Sequence, residues 1–159
     1  MLDDLQILKC DFHNPLHCEA EIRLMRDYMT DKMGGKPPLT DKENQLLIEG
    51  LKNHPTTLTL LAVYKDEFVG LTNSFINFAT FSVKKFLNIH DVIVSSSYRG
   101  KGIGKRLLEE NIRIAKEELN CSKITLEVRD DNRIAQQLYA SLGFKDSNPP
   151  MYFWTKYLQ

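Results

Sequence analysis

A chain of 159 residues is long enough to bury one sizeable core, and its 21 lysines and arginines are balanced by 21 aspartates and glutamates. That balance argues against a broad basic surface for nucleic acid or anionic lipid, so any anion site has to be local. No apolar run reaches bilayer length, the start MLDDLQILKC lacks a secretory layout, and sparse Cys10, Cys18 and Cys121 suit a reducing compartment without disulfides.

The expectation is a single domain over residues 1–159, cytoplasmic, with neither a membrane nor a nucleic-acid partner. Alternating apolar positions in LQILKCD, residues 5–11, predict a first strand. Asn14 before Pro15 reads as a cap and a first-turn proline, opening a helix through Ile22, Leu24, Met25 and Met29 that the GGKPP loop at 34–38 ends. Cys10, His13, His17 and Cys18 crowd this strand-to-helix passage but lack paired CxxC spacing, so no metal is assigned. Thr40 or Asp41 caps a second helix through Leu46, Leu47 and Ile48, stopped at Gly50 or at Asn53-His54-Pro55. TTLTLLAVYK and EFVGLTNSFINFATF, joined by a turn at Lys65-Asp66-Glu67, predict an antiparallel pair, and KFLNIHDVIV adds the next strand.

Beyond a glycine-rich stretch, Ile103, Leu107, Leu108, Ile112, Ala115 and Leu119 recur on one face of a long helix. KITLEVR then alternates as a strand, a short helix carries Ala135, Leu138, Tyr139 and Leu142 as far as Gly143, and MYFWTKYL completes the sheet. This order belongs to a mixed α/β domain built around one central sheet.

The glycine-rich stretch, SSSYRGKGIGKRLLEE at 95–110, lies between a strand and a helix. Glycine lets the backbone approach a ligand closely, and the amides and dipole of a helix start favour phosphate. Arg99, Lys101, Lys105 and Arg106 add positive charge there. A P-loop is excluded, because Arg99 stands where its first glycine belongs and Arg106 where its serine or threonine belongs. The dinucleotide pattern that begins Gly100-Lys101-Gly102 meets Lys105 in place of its last glycine.

Arg99-Gly100-Lys101-Gly102-Ile103-Gly104 resembles the pyrophosphate loop [R/Q]xxGx[G/A] of the GNAT superfamily of N-acetyltransferases. DNRIAQQLYASLGF, residues 131–144, is similar to that family's downstream segment, and the element order agrees over essentially the whole chain. The resemblance implies a GNAT fold: a mostly antiparallel twisted sheet of about six to seven strands, splayed between strands 4 and 5, with about four flanking helices. It implies acetyl-CoA as co-substrate, without a metal, in the opening between the strand ending at Val94 and the strand Lys123 to Arg129. Val92, Ile93 and Val94 would bind the pantetheine arm as if it were an added strand. Arg99, Gly100, Lys101, Gly102, Ile103, Gly104 and Lys105 would surround the diphosphate, with Asn132, Arg133 and Ala135 bordering the arm.

The implied reaction moves an acetyl group to a primary amine of a small molecule or peptide by direct attack in a ternary complex. Tyr139 resembles the family's general acid at the coenzyme sulfur, while its spacing with Ala135, Leu138 and Leu142 equally suits an apolar stripe. For the base, His90 and Asp91 are two ionisable residues inside an otherwise apolar strand, and their burial would be costly without partners. Strand alternation sends them to opposite faces unless a bulge intervenes. Diamine acetyltransferases look similar here and place their catalytic glutamate where His90 stands, and Glu127 is a third candidate. On the acceptor side the resemblance points to Tyr28, the 34–38 loop, Phe78, His90 and Trp154. A homodimer follows from family habit. A CoA-binding regulatory module and, more remotely, a dinucleotide-binding domain are the alternatives.

Overall fold

A computed structural model describes residues 2–158, which divide between Glu127 and Val128 into two compact units. In chain order the first unit carries β1 (Leu5–Lys9), α1 (Pro15–Thr30), α2 (Asp41–Asn53), β2 (Thr57–Tyr64), β3 (Glu67–Ala79), β4 (Lys84–Val94), α3 (Ile103–Arg113) and β5 (Ile124–Leu126). The second carries α4 (Arg133–Ser141).

Local chemistry fixes most of these ends. The Asn14 side chain accepts from the Leu16 amide with Pro15 in the first turn, so α1 starts where the sequence predicts. Thr40 and Glu43 form a reciprocal capping box for α2. That helix runs through Gly50 and stops at His54, because one glycine weakens a helix without breaking it whereas Pro55 cannot continue it. Between β2 and β3, Lys65 and Asp66 both take positive φ, the conformation of a tight hairpin turn.

The strands form one sheet in the order β1-β2-β3-β4-β5, antiparallel throughout except that β5 runs parallel to β4. Five strands replace the six to seven expected. KITLEVR pairs only across Ile124–Leu126, and MYFWTKYL takes no strand among the described residues. Tyr152, Phe153, Trp154 and Tyr157 are instead exposed. Strand-forming side chains make a strand only where a ladder partner meets them, which propensity cannot supply.

Two apolar layers cover the faces of the sheet in the first unit. Leu58, Leu60, Ala62 and Leu87 pack with Ile103 and Leu107 of α3, while Leu61, Leu71 and Ile93 pack with Ala20 and Leu24 of α1. The long helix departs from its predicted pattern in two respects. After Arg113 it widens into a π-helical turn, Ile114–Glu118, with the Leu119 amide reaching the Ile114 carbonyl at 3.0 Å. And Asn111, not Ile112, is fully buried against the sheet, because the strand beneath it is polar there.

Gly70 sits where α3 presses on the sheet: a Cβ there would lie 2.8 Å from the Ile93 carbonyl oxygen and 3.2 Å from Leu107 Cδ1. Gly70→Val should therefore destabilise the fold by about 1–3 kcal/mol, read as a lower urea midpoint at unchanged slope. An unchanged midpoint would mean that the β4 carbonyl and the helix can both give way.

Candidate active site

The site is built outward from the middle of β3, where Thr72, Asn73 and Ser74 are all buried. Buried polar groups need partners, and each face of the sheet supplies them. Under α3, Ser74 Oγ donates to Asn111 Oδ1 at 3.1 Å, and Asn111 Nδ2 donates to Thr72 Oγ1 at 2.8 Å. Under α1, Thr59 Oγ1 donates to Asn73 Oδ1 at 2.7 Å, and Asn73 Nδ2 donates to Glu21 Oε1 at 2.6 Å. Glu21 is wholly buried, and its second oxygen, Oε2, has no partner.

Opposite this polar patch β4 carries a bulge. Asn73 pairs with Asp91 and Ser74 with Ile89, leaving His90 as the extra residue. The bulge reverses the alternation of side chains: Leu87 joins the layer under α3, yet Ile93, an even number of residues later, joins the layer under α1. His90 meets Phe75 edge-on at 5.4 Å between ring centroids, and Asp91 stands directly opposite Asn73 in the ladder. Phe75 and Asn73 stand two residues apart on β3 and share a face, so His90 and Asp91 share it as well. Regular alternation would have separated them. His90 is exposed, so it does not carry the burial cost that an ionisable residue inside an apolar strand would.

Burial is the main force on the carboxyl groups here. It pushes Glu21 up to about 7, with the Asn73 bond opposing and Asp91 adding to the rise. Asp91 is also raised by burial, against the lowering effects of Asn73 and His90.

Beyond the bulge, the β5 side of β4 has no ladder partner among the described residues. Pairing between these strands ends at Ile89 with Leu126, while β4 continues through Val92, Ile93 and Val94. This is the opening expected between the fourth and fifth strands. Next to it lies a cleft of about 640 Å³, whose lining includes Tyr28 and Asp31 from α1 and its end, and the run from Ile93 to Arg99. Of the proposed acceptor residues, Tyr28 is here. Phe78 is not: it pairs with Lys85 at the far end of the ladder in which Gly70 pairs with Val94, so the two aromatics do not share a pocket. Glu127 is exposed just after β5.

The glycine loop has the conformation its composition predicts. Gly100 and Gly102 take φ of 74° and 86°, where a side chain would be strained, and Gly102 is the residue before α3. The amides of Ile103, Gly104 and Lys105 form the first turn, where no carbonyl lies one turn back to receive them. That is the make-up of an anion cradle, and it fits the diphosphate of a coenzyme. The charges around it are already engaged. Arg99 lies 2.9 Å from Asp31 and donates through Nε to the Val94 carbonyl at 3.0 Å. Lys101 stands 4.9 Å over the Tyr98 ring, and Lys105 and Arg106 approach Glu109. The Met33 amide first, and then Arg99, hold the Asp31 carboxyl below its ordinary value.

In the second unit, Asn132 Oδ1 accepts from the Ala135 amide at 3.2 Å and so caps α4. Arg133 bonds Gln136, whose amide in turn holds the Arg129 and Asp130 carbonyls. Tyr139 is half-buried with its ring 6.0 Å from that of Phe144, and Trp154 is exposed.

Sequence reading passed over Glu21, Asn73, Thr59 and Asp31. For Glu21 there was a signal: with Leu24, Met25 and Tyr28 it occupies helical positions i, i+3, i+4 and i+7, which places a carboxyl on the buried stripe.

Comparison with known proteins agrees with this geometry. The chain is 31% identical over 96 residues to the uncharacterized N-acetyltransferase YhfO of Bacillus subtilis (strain 168), covering 60% of this chain and 63% of that one. It is 42% identical over 57 residues to the N-alpha-acetyltransferase RimI of Mycobacterium tuberculosis, covering 36% and 34%. The chain thus spans less than two thirds of these curated relatives. Among solved structures, the aminoglycoside N-acetyltransferase AAC(6')-Iy in complex with CoA superposes with a TM-score of 0.75 at 17% identity, covering 96% of this chain and 94% of that one. The match to the model of the Acetyltransferase (GNAT) family runs from residue 22 to residue 144, taking in the buried β3 patch, the bulge, the glycine loop and α4, and by it the chain belongs to that family.

Proposed function

We propose that the protein transfers the acetyl group of acetyl-CoA to a primary amine of a small molecule or peptide. The observation that carries this reading is the continuous passage from the unpaired edge of β4 at Val92 to Val94 into the positive-φ glycines and first turn of α3. An extended chain of amides can lie along such an edge, and a diphosphate can end in such a turn. The relative RimI and the CoA-bound structural neighbour support the same reading.

The chain's own groups divide the work. The β4 edge and the loop bind and orient the thioester, and orientation alone can contribute about 7 kcal/mol or more of barrier lowering in favourable cases. A main-chain amide near Ile93 or Val94 takes the developing oxyanion. His90 or Asp91, on one face through the bulge, takes a proton from the substrate ammonium, directly or through water, and the neutral amine then attacks. Nitrogen bonds to the acetyl carbon, the carbon–sulfur bond breaks, Tyr139 gives the departing sulfur its proton, and the second proton that nitrogen loses restores the Tyr139 hydroxyl through water. A cytoplasmic location and a homodimer are part of the proposal, the homodimer supported by the exposed apolar side chains between Met151 and Leu158 and readable by sedimentation.

Thermal melts and a thiol-release assay test it together. Acetyl-CoA at 100 times its Kd should raise stability by about 2.7 kcal/mol, and NAD should raise it by nothing. Thiol release should then appear with at least one class in a panel of peptide α-amines, aminoglycosides and small diamines. Stabilisation without turnover across that panel would leave a binding module, and no stabilisation would end the proposal.

A further inference from the structure

The Glu21 carboxyl is the least explained group in the first unit. It is fully buried, one oxygen is bonded to Asn73, and the other has no partner. A helix that needed only packing at this position would carry leucine there, as it does at Leu24. Asn73 links it to the bulge. The Asn73 side chain bonds Glu21, its residue pairs across the ladder with Asp91, and Asp91 lies beside His90.

We propose that Glu21 is a positioning residue of this site, acting through the Asn73 amide to set the orientation and charge of Asp91 beside His90. This rests on the reading of β4 as the reacting strand.

The groups facing Glu21 define its environment. Asp91 comes from β4, Cys10 from the end of β1 and Cys18 from α1 itself, while Asn73 and Thr59 supply the neutral dipoles. Lys52 of α2 and Asp11 act on Cys18, and Asp11 also acts on Cys10. No cation bonds the Glu21 carboxyl among the described residues, so its proton is retained close to neutral pH, where burial holds it. Losing that proton places a second negative charge behind Asp91. The charge felt by His90 then changes as pH passes about 7. A carboxyl whose only task was to fix Asn73 would have no such effect.

Infrared pH titration of the whole protein reads the coupling without any substrate. The protonated-carboxyl band should fade through about pH 7, be missing in Glu21→Gln, and in Asp91→Asn fade about one pH unit lower, a tenfold weaker hold on the proton. With acetyl-CoA and the best amine of the panel, Glu21→Gln should lose the matching inflection in the pH profile of kcat/KM while its KM for acetyl-CoA stays within about twofold. A band midpoint that Asp91→Asn does not move, or an inflection that survives in Glu21→Gln, overturns the proposal. Absence of turnover in the wild type would strike the transferase reading, and the infrared result would still decide the coupling.

Discussion

Wild-type stability should fall as pH rises from about 4.5 through about 7, and Glu21→Gln should lack that slope. The sign follows from burial. The folded protein holds the Glu21 proton up to about 7, while an unfolded chain releases it near 4.5, so folding is favoured by the bound proton. That contribution is complete below about 4.5 and is lost as pH passes about 7. The gap of about 2.5 pH units, 7 minus 4.5, corresponds to roughly 3 kcal/mol, more than a hundredfold in the folding equilibrium.

Other shifted groups act elsewhere or differently. Asp31, Glu43 and Glu118 are held below ordinary values of 3.8 to 4.5, so their contribution is lost on acidification beneath the window. Cys10, pushed up to about 12 from 9.0 chiefly by burial, acts above it. The Asp91 rise has the same sign as that of Glu21 and is retained in the variant. The wild type minus Glu21→Gln difference therefore reads the Glu21 carboxyl together with its coupling to Asp91, and glutamine preserves the oxygen that Asn73 binds. Urea midpoints between pH 4.5 and 7.5 would measure it, and parallel lines for the two proteins would refute it.

Tyr139→Phe should lower kcat about 10²-fold, the scale of losing a general acid, with the Kd of acetyl-CoA nearly unchanged. Phenylalanine keeps the ring beside Phe144 and the helical position between Ala135 and Gly143, so only the hydroxyl is removed. A stability defect in this variant would show as a lower melting temperature and can be separated from the kinetic loss. Full turnover in a folded Tyr139→Phe enzyme, with a cognate amine, would return Tyr139 to the apolar stripe. In the proposed mechanism the Tyr139 substitution bears on the leaving group and the Glu21 substitution on the base, so the two should respond differently to pH.

Much of this was legible along the chain, because the determinants are local. Asn14-Pro15 and the Thr40/Glu43 box specify helix starts within a few residues, Lys65-Asp66 specifies a hairpin, and the glycines from 100 to 104 specify a backbone that only glycine adopts freely. The same stretch carried the family resemblance, and its positive-φ glycines lead into α3 as the sequence predicts. MYFWTKYL has strand-forming chemistry yet forms no strand, since a strand is completed by a partner far away in sequence.

What the sequence by itself determined was therefore the helix starts, the hairpin turn and the backbone of the glycine loop, each set by neighbours a few residues apart. What only the tertiary structure decided was the charge-bearing face of β4. His90 and Asp91 point the same way because Asn73 and Ser74 on another strand pair with Asp91 and Ile89, and Glu21 holds its proton because two layers exclude water from it. Register and desolvation are properties of residues brought together across the chain, and no local pattern encodes either.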